Sequence, residues 1–387
     1  MTPAARVAAA IEILDMIGDG LPAEQVLTRW GRGNRFAGSK DRAAIRDHVF
    51  DVLRVRRSAA WLGNAATGRG LMIGLLRLQG IDPATLFTGE GHAPAPLMDH
   101  EMQLPEGEMP DADAWNLPDW LTERFAEGLG DAAAETAQKL QGRAPVSLRV
   151  NVAKTNTSDA ILMLKEAGVE VVENPLSATA LTVVEGSRRI RNTPAYMDGF
   201  VELQDASSQA VVDALPKAGR VLDYCAGGGG KALAIAARGA NAVFAHDIDV
   251  GRMRDLPLRA ARAEAEITQL EGSDLATFGP YDLVLVDAPC SGSGSWRRAP
   301  EAKWRLTPEQ LAQTADLQDS ILDAAAALVA EGGTLVYATC SILPDENQQR
   351  VAAFLARNNG WVCTWEKTFE VSDLGDGFYS AHLTQSN

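Results

Sequence analysis

Cysteine is scarce in this sequence: Cys225, Cys290, Cys340 and Cys363 are its four, spread over 387 residues. They are too few and too far apart for a disulfide framework, and no C-x-x-C pair or His/Cys cluster is present to hold structural zinc. The 5 histidines are scattered, so no metal is expected. Long apolar runs are missing too, and nothing approaches the ~18 residues of a membrane span. Residues 1–20 carry a single cation, Arg6, with Glu12, Asp15 and Asp19 set into their apolar part. That plan suits neither a signal peptide nor a transit peptide, so a cytoplasmic location and no membrane partner are expected. A chain that is 46% hydrophobic and 22% charged, with 35 Gly and 18 Pro, is neither disordered nor collagen-like.

Positive charge is also short, with 36 Lys and Arg against 51 Asp and Glu for a net −15. That balance argues against indiscriminate nucleic-acid binding. The shortfall is uneven, however. Residues 1–80 hold twelve cations against seven acids, and residues 81–120 hold no cation against nine acids. Arg29, Arg32, Arg35, Lys40, Arg42, Arg46, Arg54, Arg56 and Arg57 crowd one stretch. This is either a solvated helical surface or a local phosphate-binding face. On the second reading, neutralising Arg42, Arg46, Arg54 and Arg57 should weaken binding to a polyphosphate partner.

Hydrophobic spacing divides the chain into four segments. Residues 1–84 read as all-helical, from Ala5, Val7, Ala8, Ile11, Leu14 and Ile17 and again from Ala44, Ile45, Val49, Val52 and Leu53. Residues 85–118, rich in Gly, Pro and acid, read as a linker. Residues 119–205 hold a helix followed by β-like runs, SLRVNV and ALTVVEG, around a helical stretch. Over 206–387 four apolar β runs (VLDYC, AVFAHD, DLVLVDAPC, GTLVYATC) alternate with helices, which implies a doubly wound, parallel α/β sheet. Ligands of such sheets sit at the carboxyl ends of the strands. Here those ends carry Asp223 and Cys225, Asp247, Asp287 and Cys290, and Cys340.

After the first run, Cys225-Ala226-Gly227-Gly228-Gly229-Gly230-Lys231 joins strand to helix. It departs from a phosphate loop at Cys225 and at Ala232, where a hydroxyl would hold magnesium. Four glycines still let backbone approach a nucleoside with a compact polar tail, its carboxylate facing the helix N-terminus. A plain βα turn is the alternative. Asp247, 19 residues beyond Gly228, is placed to accept from ribose hydroxyls, with Asp249 as a competitor. Asp274 suits an adenine contact or a turn cap equally. Cys290 and Cys340 end two strands of one sheet and can share a crevice. Small buried hydrophobes or a redox pair are the alternatives.

Taken in order, Leu148-Arg149-Val150-Asn151, Gln204 to Gln209, Asp223 to Lys231, Asp287 to Gly292, the run Arg297, Pro300, Glu301, Lys303 and Trp304, Tyr337 to Ser341, Pro344, Glu346 and Asn347, and Gly375 to Tyr379 resemble the RNA cytosine-5 methyltransferases of the Sun/nucleolar-protein family. The helical start is similar to the NusB-like RNA-binding domain of bacterial members, and the module at 144–200 to the family's small RNA-binding subdomain. The resemblance implies a Rossmann-like, S-adenosylmethionine-dependent methyltransferase domain. Its cofactor would lie on Cys225, Ala226, Gly227, Gly228, Gly229, Gly230 and Lys231, with Asp247 on the ribose, Asp274 near the adenine and Asp287 beside the reaction centre. Cys340 matches the nucleophile and Cys290 the cysteine that helps release product. The implied substrate is a cytosine of RNA, small-subunit (16S) ribosomal RNA first and transfer RNA second; nothing in the sequence itself demands more than a monomer.

The family's loop reads Ala-Ala-Pro-Gly-Gly-Lys, so Gly227 and Gly228 replace two stiffer residues. This should raise the entropy lost on ordering the loop. Two other readings compete: an RNA-binding assembly factor with an inactive methyltransferase domain, and a DNA-type enzyme in which Cys290 attacks.

Overall fold

Thr2 starts the first helix, its hydroxyl accepting from the Ala5 N–H at 3.2 Å with Pro3 at the first helical position. From there a computed structural model describes residues 1–386, which divide by their internal packing into two units. The first comprises Met1–Arg143 and Trp296–Arg305, the second Ala144–Ser295 and Leu306–Asn387. No helix of the described residues is long and apolar enough to cross a membrane.

The first unit is built on α1 (Pro3–Gly18), α2 (Ala23–Gly33), α3 (Ser39–Arg54), α4 (Arg56–Leu62) and α5 (Gly68–Leu78). The helical spacing of their apolar residues is used as expected: Val7, Ile13, Val26, Ile45, Val49, Met72 and Ile73 are buried in one core with Phe87. The acidic stretch that reads as a linker is fastened onto this bundle. Glu101 receives Arg69 through both its oxygens at 2.6 and 2.8 Å, Arg57 donates to Asp113 at 2.5 Å, and Asn116 is fully buried against Ser58. Acids without a local cation thus find arginines across the bundle. The segment Trp296–Arg305 finishes α3. Lys303 and Trp304 donate to the carbonyls of Arg54 and Leu53 at 2.9 and 2.6 Å, groups that a helix leaves unpaired at its C-terminus. Lys303 is 1% exposed, and burial lowers its pKa to about 7.

The second unit contains two sheets. β1 (Ser147–Val150), β2 (Glu170–Glu173), β3 (Ala180–Glu185) and β4 (Val201–Leu203) form an antiparallel sheet in the order β2-β3-β1-β4. Against it packs the helix Thr157–Glu166, capped by Asn156, through Ala160 and Leu164. The larger sheet runs β10-β11-β9-β8-β5-β6-β7. Its strands are β5 (Arg220–Asp223), β6 (Ala242–Ala245), β7 (Ile267–Gln269), β8 (Tyr281–Asp287), β9 (Val329–Thr339), β10 (Trp361–Phe369) and β11 (Phe378–Gln385). The four expected apolar runs are β5, β6, β8 and β9, all parallel, joined by β7, while β11 and β10 close one edge antiparallel. The chain leaves β5 toward β6 on one side and returns through β8 on the other. This reversal opens a crevice between the carboxyl ends of β5 and β8, the usual ligand position in such sheets.

Candidate active site

At the end of β5 the chain turns through Tyr224, Cys225 and Ala226 into the glycine loop, and the helix Gly230–Ala237 begins. The Ala226 N–H donates to the His246 carbonyl and the Gly229 N–H to the Ala226 carbonyl, both at 2.8 Å, folding the loop under the crevice. Gly227 (φ +50°) and Gly229 (φ +77°) are in the left-handed region. A Cβ on Gly229 would come within 2.3 Å of Leu256 Cδ1 and would sit at a positive φ, so any larger residue there is strained and displaces the buried Leu256 side chain. At Gly227 the positive φ changes the expectation about the loop. Glycine there does lose more entropy on ordering, but an alanine would sit strained.

Over this loop lies a cleft of about 490 Å³ lined by Cys225, Ala226, Gly227, Gly228, Gly230 and Lys231, with Arg252 and Arg259, Gln204 and Ser208, and Asp287, Cys290 and Cys340. The volume suits a nucleoside-sized ligand. Backbone bare of side chains on one wall and a helix N-terminus on the floor suit an S-adenosylmethionine whose carboxylate faces Gly230. The Asp247 side chain is 2% exposed, accepting from the Gly227 N–H at 2.9 Å and the Asp249 N–H at 3.0 Å, with Arg252 at 3.2 Å. Its competitor Asp249 is spent capping the Gly251 N–H. Asp274 is half-buried in the turn Gly272–Asp274 after β7 and does not line the cleft. Burial raises the Cys225 thiol pKa well above its usual range, so it forms wall and is no nucleophile. Among the described residues no group of three or more His, Cys, Asp or Glu could hold a metal.

The reacting groups meet at the ends of β8 and β9. Cys290 Sγ and Cys340 Sγ are 3.4 Å apart, a hydrogen-bond distance for sulfur. The two thiols titrate in opposite directions. Cys340 is lowered, first by the hydrogen bond from Cys290 and also by the Lys231 ammonium and Ser295, against burial and the Asp287 charge. Cys290 is raised well above the usual thiol value by its bond to Cys340, by burial, and by the charges of Cys340 and Glu346. These directions favour Cys290 as the S–H donor and make Cys340 the more readily ionised sulfur of the pair. Beside them Lys231 Nζ donates to Asp287 Oδ2 at 2.6 Å, with the Phe378 ring centroid 5.2 Å from Nζ. Burial opposes the Lys231 charge, but Asp287 more than offsets this, and the ammonium persists.

Two buried acids of this site were not singled out as site residues by sequence reasoning. Asp223 is fully buried beside the Lys231 charge, with no side-chain hydrogen-bond partner among the described residues and only the Ala232 backbone N–H in support. Burial, then the nearby Asp287 charge, raise its pKa to about 7. Glu346 lies between the two cysteine loops. Its only signal in the sequence is membership of the Pro344, Glu346, Asn347 run.

Residues 210–384 match a family model described as 16S rRNA methyltransferase RsmB/F, and residues 117–188 match its RsmF/B-like ferredoxin-like domain. Among curated relatives, the ribosomal RNA small subunit methyltransferase B of Erwinia tasmaniensis is 30% identical over 98% of both chains. The chain belongs to the RsmB/F family. The protein of the same name from Klebsiella pneumoniae is 37% identical over 69% of this chain and 65% of that one. A solved structure, PH0851, superposes over 100% of this chain and 99% of its own with a TM-score of 0.75 and 23% identity, a likeness of fold. Membership makes the chain an S-adenosylmethionine-dependent RNA methyltransferase, in agreement with the resemblance drawn from its motifs.

Proposed function

We propose that this RsmB/F member methylates C5 of a cytosine in RNA, 16S ribosomal RNA being the substrate named by its family and relatives. The carrying observation is the Cys290–Cys340 pair, 3.4 Å apart with oppositely displaced pKa values beside Lys231 and Asp287. C5 of cytosine is a poor nucleophile. Cys340, the thiolate of the pair, adds to C6, and the electron pair displaced from the C5–C6 bond makes C5 nucleophilic. The Lys231–Asp287 pair faces the base edge and offsets the charge that builds at N3, with its shared proton within reach. The bound cofactor supplies the electrophilic methyl. The C5 proton then leaves to water, the C5–C6 double bond re-forms, and Cys340 departs as a thiolate. Cys290 donates its S–H to that sulfur throughout, which favours the thiolate both before attack and on departure. The base must be unstacked first, so a loop or single strand is the natural target. On this reading Cys225 to Lys231 cradle the cofactor, Asp247 serves its ribose, and Asp274 reaches the adenine only if its turn moves toward the cleft. A cytoplasmic monomer completes the proposal.

The RNA face we assign differs from the first expectation. Arg46 is paired with Glu24, Arg54 with Asp51, and Arg57 with Asp113 and Asp119, so these are structural cations. Arg29, Arg32, Arg35 and Lys40 are exposed and have no ion-pair partner among the described residues, next to Phe36 at 72% exposure. Phosphates and a stacked base are what such a face takes.

The test is methyl transfer from tritiated S-adenosylmethionine to unmodified 16S ribosomal RNA, with 5-fluorocytidine-substituted transcript to trap the adduct. Wild type should label cytosine, Cys340→Ala should be inactive, and Cys290→Ala should accumulate covalent RNA. An active Cys340→Ala beside an inactive Cys290→Ala would restore the DNA-type assignment. RNA binding without any transfer would restore the assembly factor, which an intact cofactor cleft and thiol pair argue against.

A further inference from the structure

Each of the two cysteines is followed by a serine, and both serines end on one carboxylate. Glu346 is fully buried. Its Oε1 accepts from the Ser291 N–H at 2.7 Å, and its Oε2 accepts from the Ser291 and Ser341 hydroxyls, each at 2.5 Å. Ser293 extends the chain, its hydroxyl 2.8 Å from Ser341 Oγ. With the Ser341 hydrogen committed to Glu346, Ser293 must be the donor in that last contact. Every proton in the network therefore points toward the carboxylate, and only an acceptor at position 346 satisfies it. The geometry points to Glu346 as the positioning residue that sets the spacing of the two thiols, by clamping the loop after β8 to the loop after β9.

Three further contacts are consistent with a clamp. The Gly294 N–H donates to the Cys340 carbonyl at 2.9 Å, and Ser293 Oγ accepts from the Ile342 N–H at 2.9 Å, so the same two loops are laced on either side of the sulfurs. From the helix Pro308–Ala326, Gln318 donates to the Pro289 carbonyl at 2.9 Å, which ties the Cys290 loop from behind. Glu346 also acts through charge. It faces Cys290 and adds to the rise in that thiol's pKa. The same residue thus fixes a distance and helps to keep the proton on Cys290.

This inference rests on the two-cysteine reading above, and its test keeps the two apart. Full-length Glu346→Gln, Ser291→Ala, Cys340→Ala and Cys290→Ala would be assayed with tritiated S-adenosylmethionine and transcribed 16S ribosomal RNA from pH 5.5 to 9.5. Phe354→Leu, a core change away from the thiols, serves as a stability-matched control. An amide at 346 turns a donor toward serine donors and removes the charge, so kcat should fall roughly 10- to 100-fold with KM for the cofactor unchanged. The pH profile should narrow from both sides. Loss of the negative charge lowers the Cys290 pKa and draws in the alkaline limb, and a loosened S–H···S bond raises Cys340 and draws in the acid limb. Ser291→Ala, which keeps the carboxylate and one serine arm, should show the same narrowing to a lesser degree. A Glu346→Gln that loses height alone, as Phe354→Leu would, or that keeps the wild-type kcat and limbs, overturns the clamp. If Cys340→Ala still transfers methyl groups, the two-cysteine reading itself has failed.

Discussion

Asp223 is a fully buried acid with little to support its charge. Its carboxyl has no side-chain hydrogen bond within the described residues, and its pKa of about 7 lies above that of a free aspartate, about 3.9. An acid raised by folding binds its proton more readily in the native state, so it favours folding fully below the free value. That contribution is lost as pH climbs from about 4 through 7. Asp223→Asn removes the titration. Its Tm relative to wild type should rise between about pH 4 and pH 7 and level off above that, as scanning calorimetry across the range would show. A difference independent of pH would mean that Asp223 is not the strained group. The same residue shows why some of the site was hidden in the sequence. Asp223 ends an apolar run and was visible as a strand end, but its isolation depends on Lys231 turning to Asp287 at 2.6 Å, 56 positions along the chain. Cys290 and Cys340 were legible because strand ends of one sheet converge. Glu346 was not, since its meaning depends on two serines reached from opposite sides.

Among the elements, the strand–loop–helix unit at Asp223 to Ala237 carries most of the cofactor site, and its glycines are not equivalent. Gly229 faces Leu256 with no room for a Cβ and has φ +77°. Gly229→Ala should therefore raise the Kd for S-adenosylmethionine at least about tenfold, since a forced shift of loop backbone costs about 1–3 kcal/mol. RNA affinity should be unchanged, and isothermal titration with each ligand separates the two. The strands around this unit were readable where burial on both faces makes a continuous apolar run, as in Leu283, Val284, Leu285 and Val286 of β8. β7 was not, being three residues with two of them exposed. β11 was not either, because Ser380 and His382 interrupt its apolar residues although both are buried. The loop holding Asp274 illustrates the limit of spacing arguments. Position after a strand places an acid near the cleft, while the turn that follows decides whether it faces in.

For the whole chain, the net charge of −15 conceals where nucleic acid can be held. Acids of residues 81–120 are drawn onto the helical unit, where Asp113, Asp119 and Glu101 neutralise Arg57 and Arg69. What is left over is the set Arg29, Arg32, Arg35 and Lys40. Charge reversal at these four should weaken binding to a single-stranded 16S fragment. It should also flatten the dependence of log K on log salt by up to about 3, at about 0.7 for each phosphate no longer neutralised. Neutralising Arg54 and Arg57 should instead lower Tm with the salt slope intact. Filter binding between 50 and 200 mM salt distinguishes these outcomes, and an unchanged slope in the fourfold variant would remove the face we assign.

The ten residues Trp296–Arg305 give the helical unit a property that its first 143 residues do not possess by themselves. Lys303 and Trp304 supply the last hydrogen bonds of α3, and Trp296 stacks on Phe125 at 6.3 Å. During translation these partners emerge only after almost 300 residues have been made, although α3 itself is complete by Arg54. The amino-terminal bundle must therefore wait, end carbonyls uncapped, while most of the other unit is synthesised. A fragment cut at Arg143 reproduces that waiting state permanently.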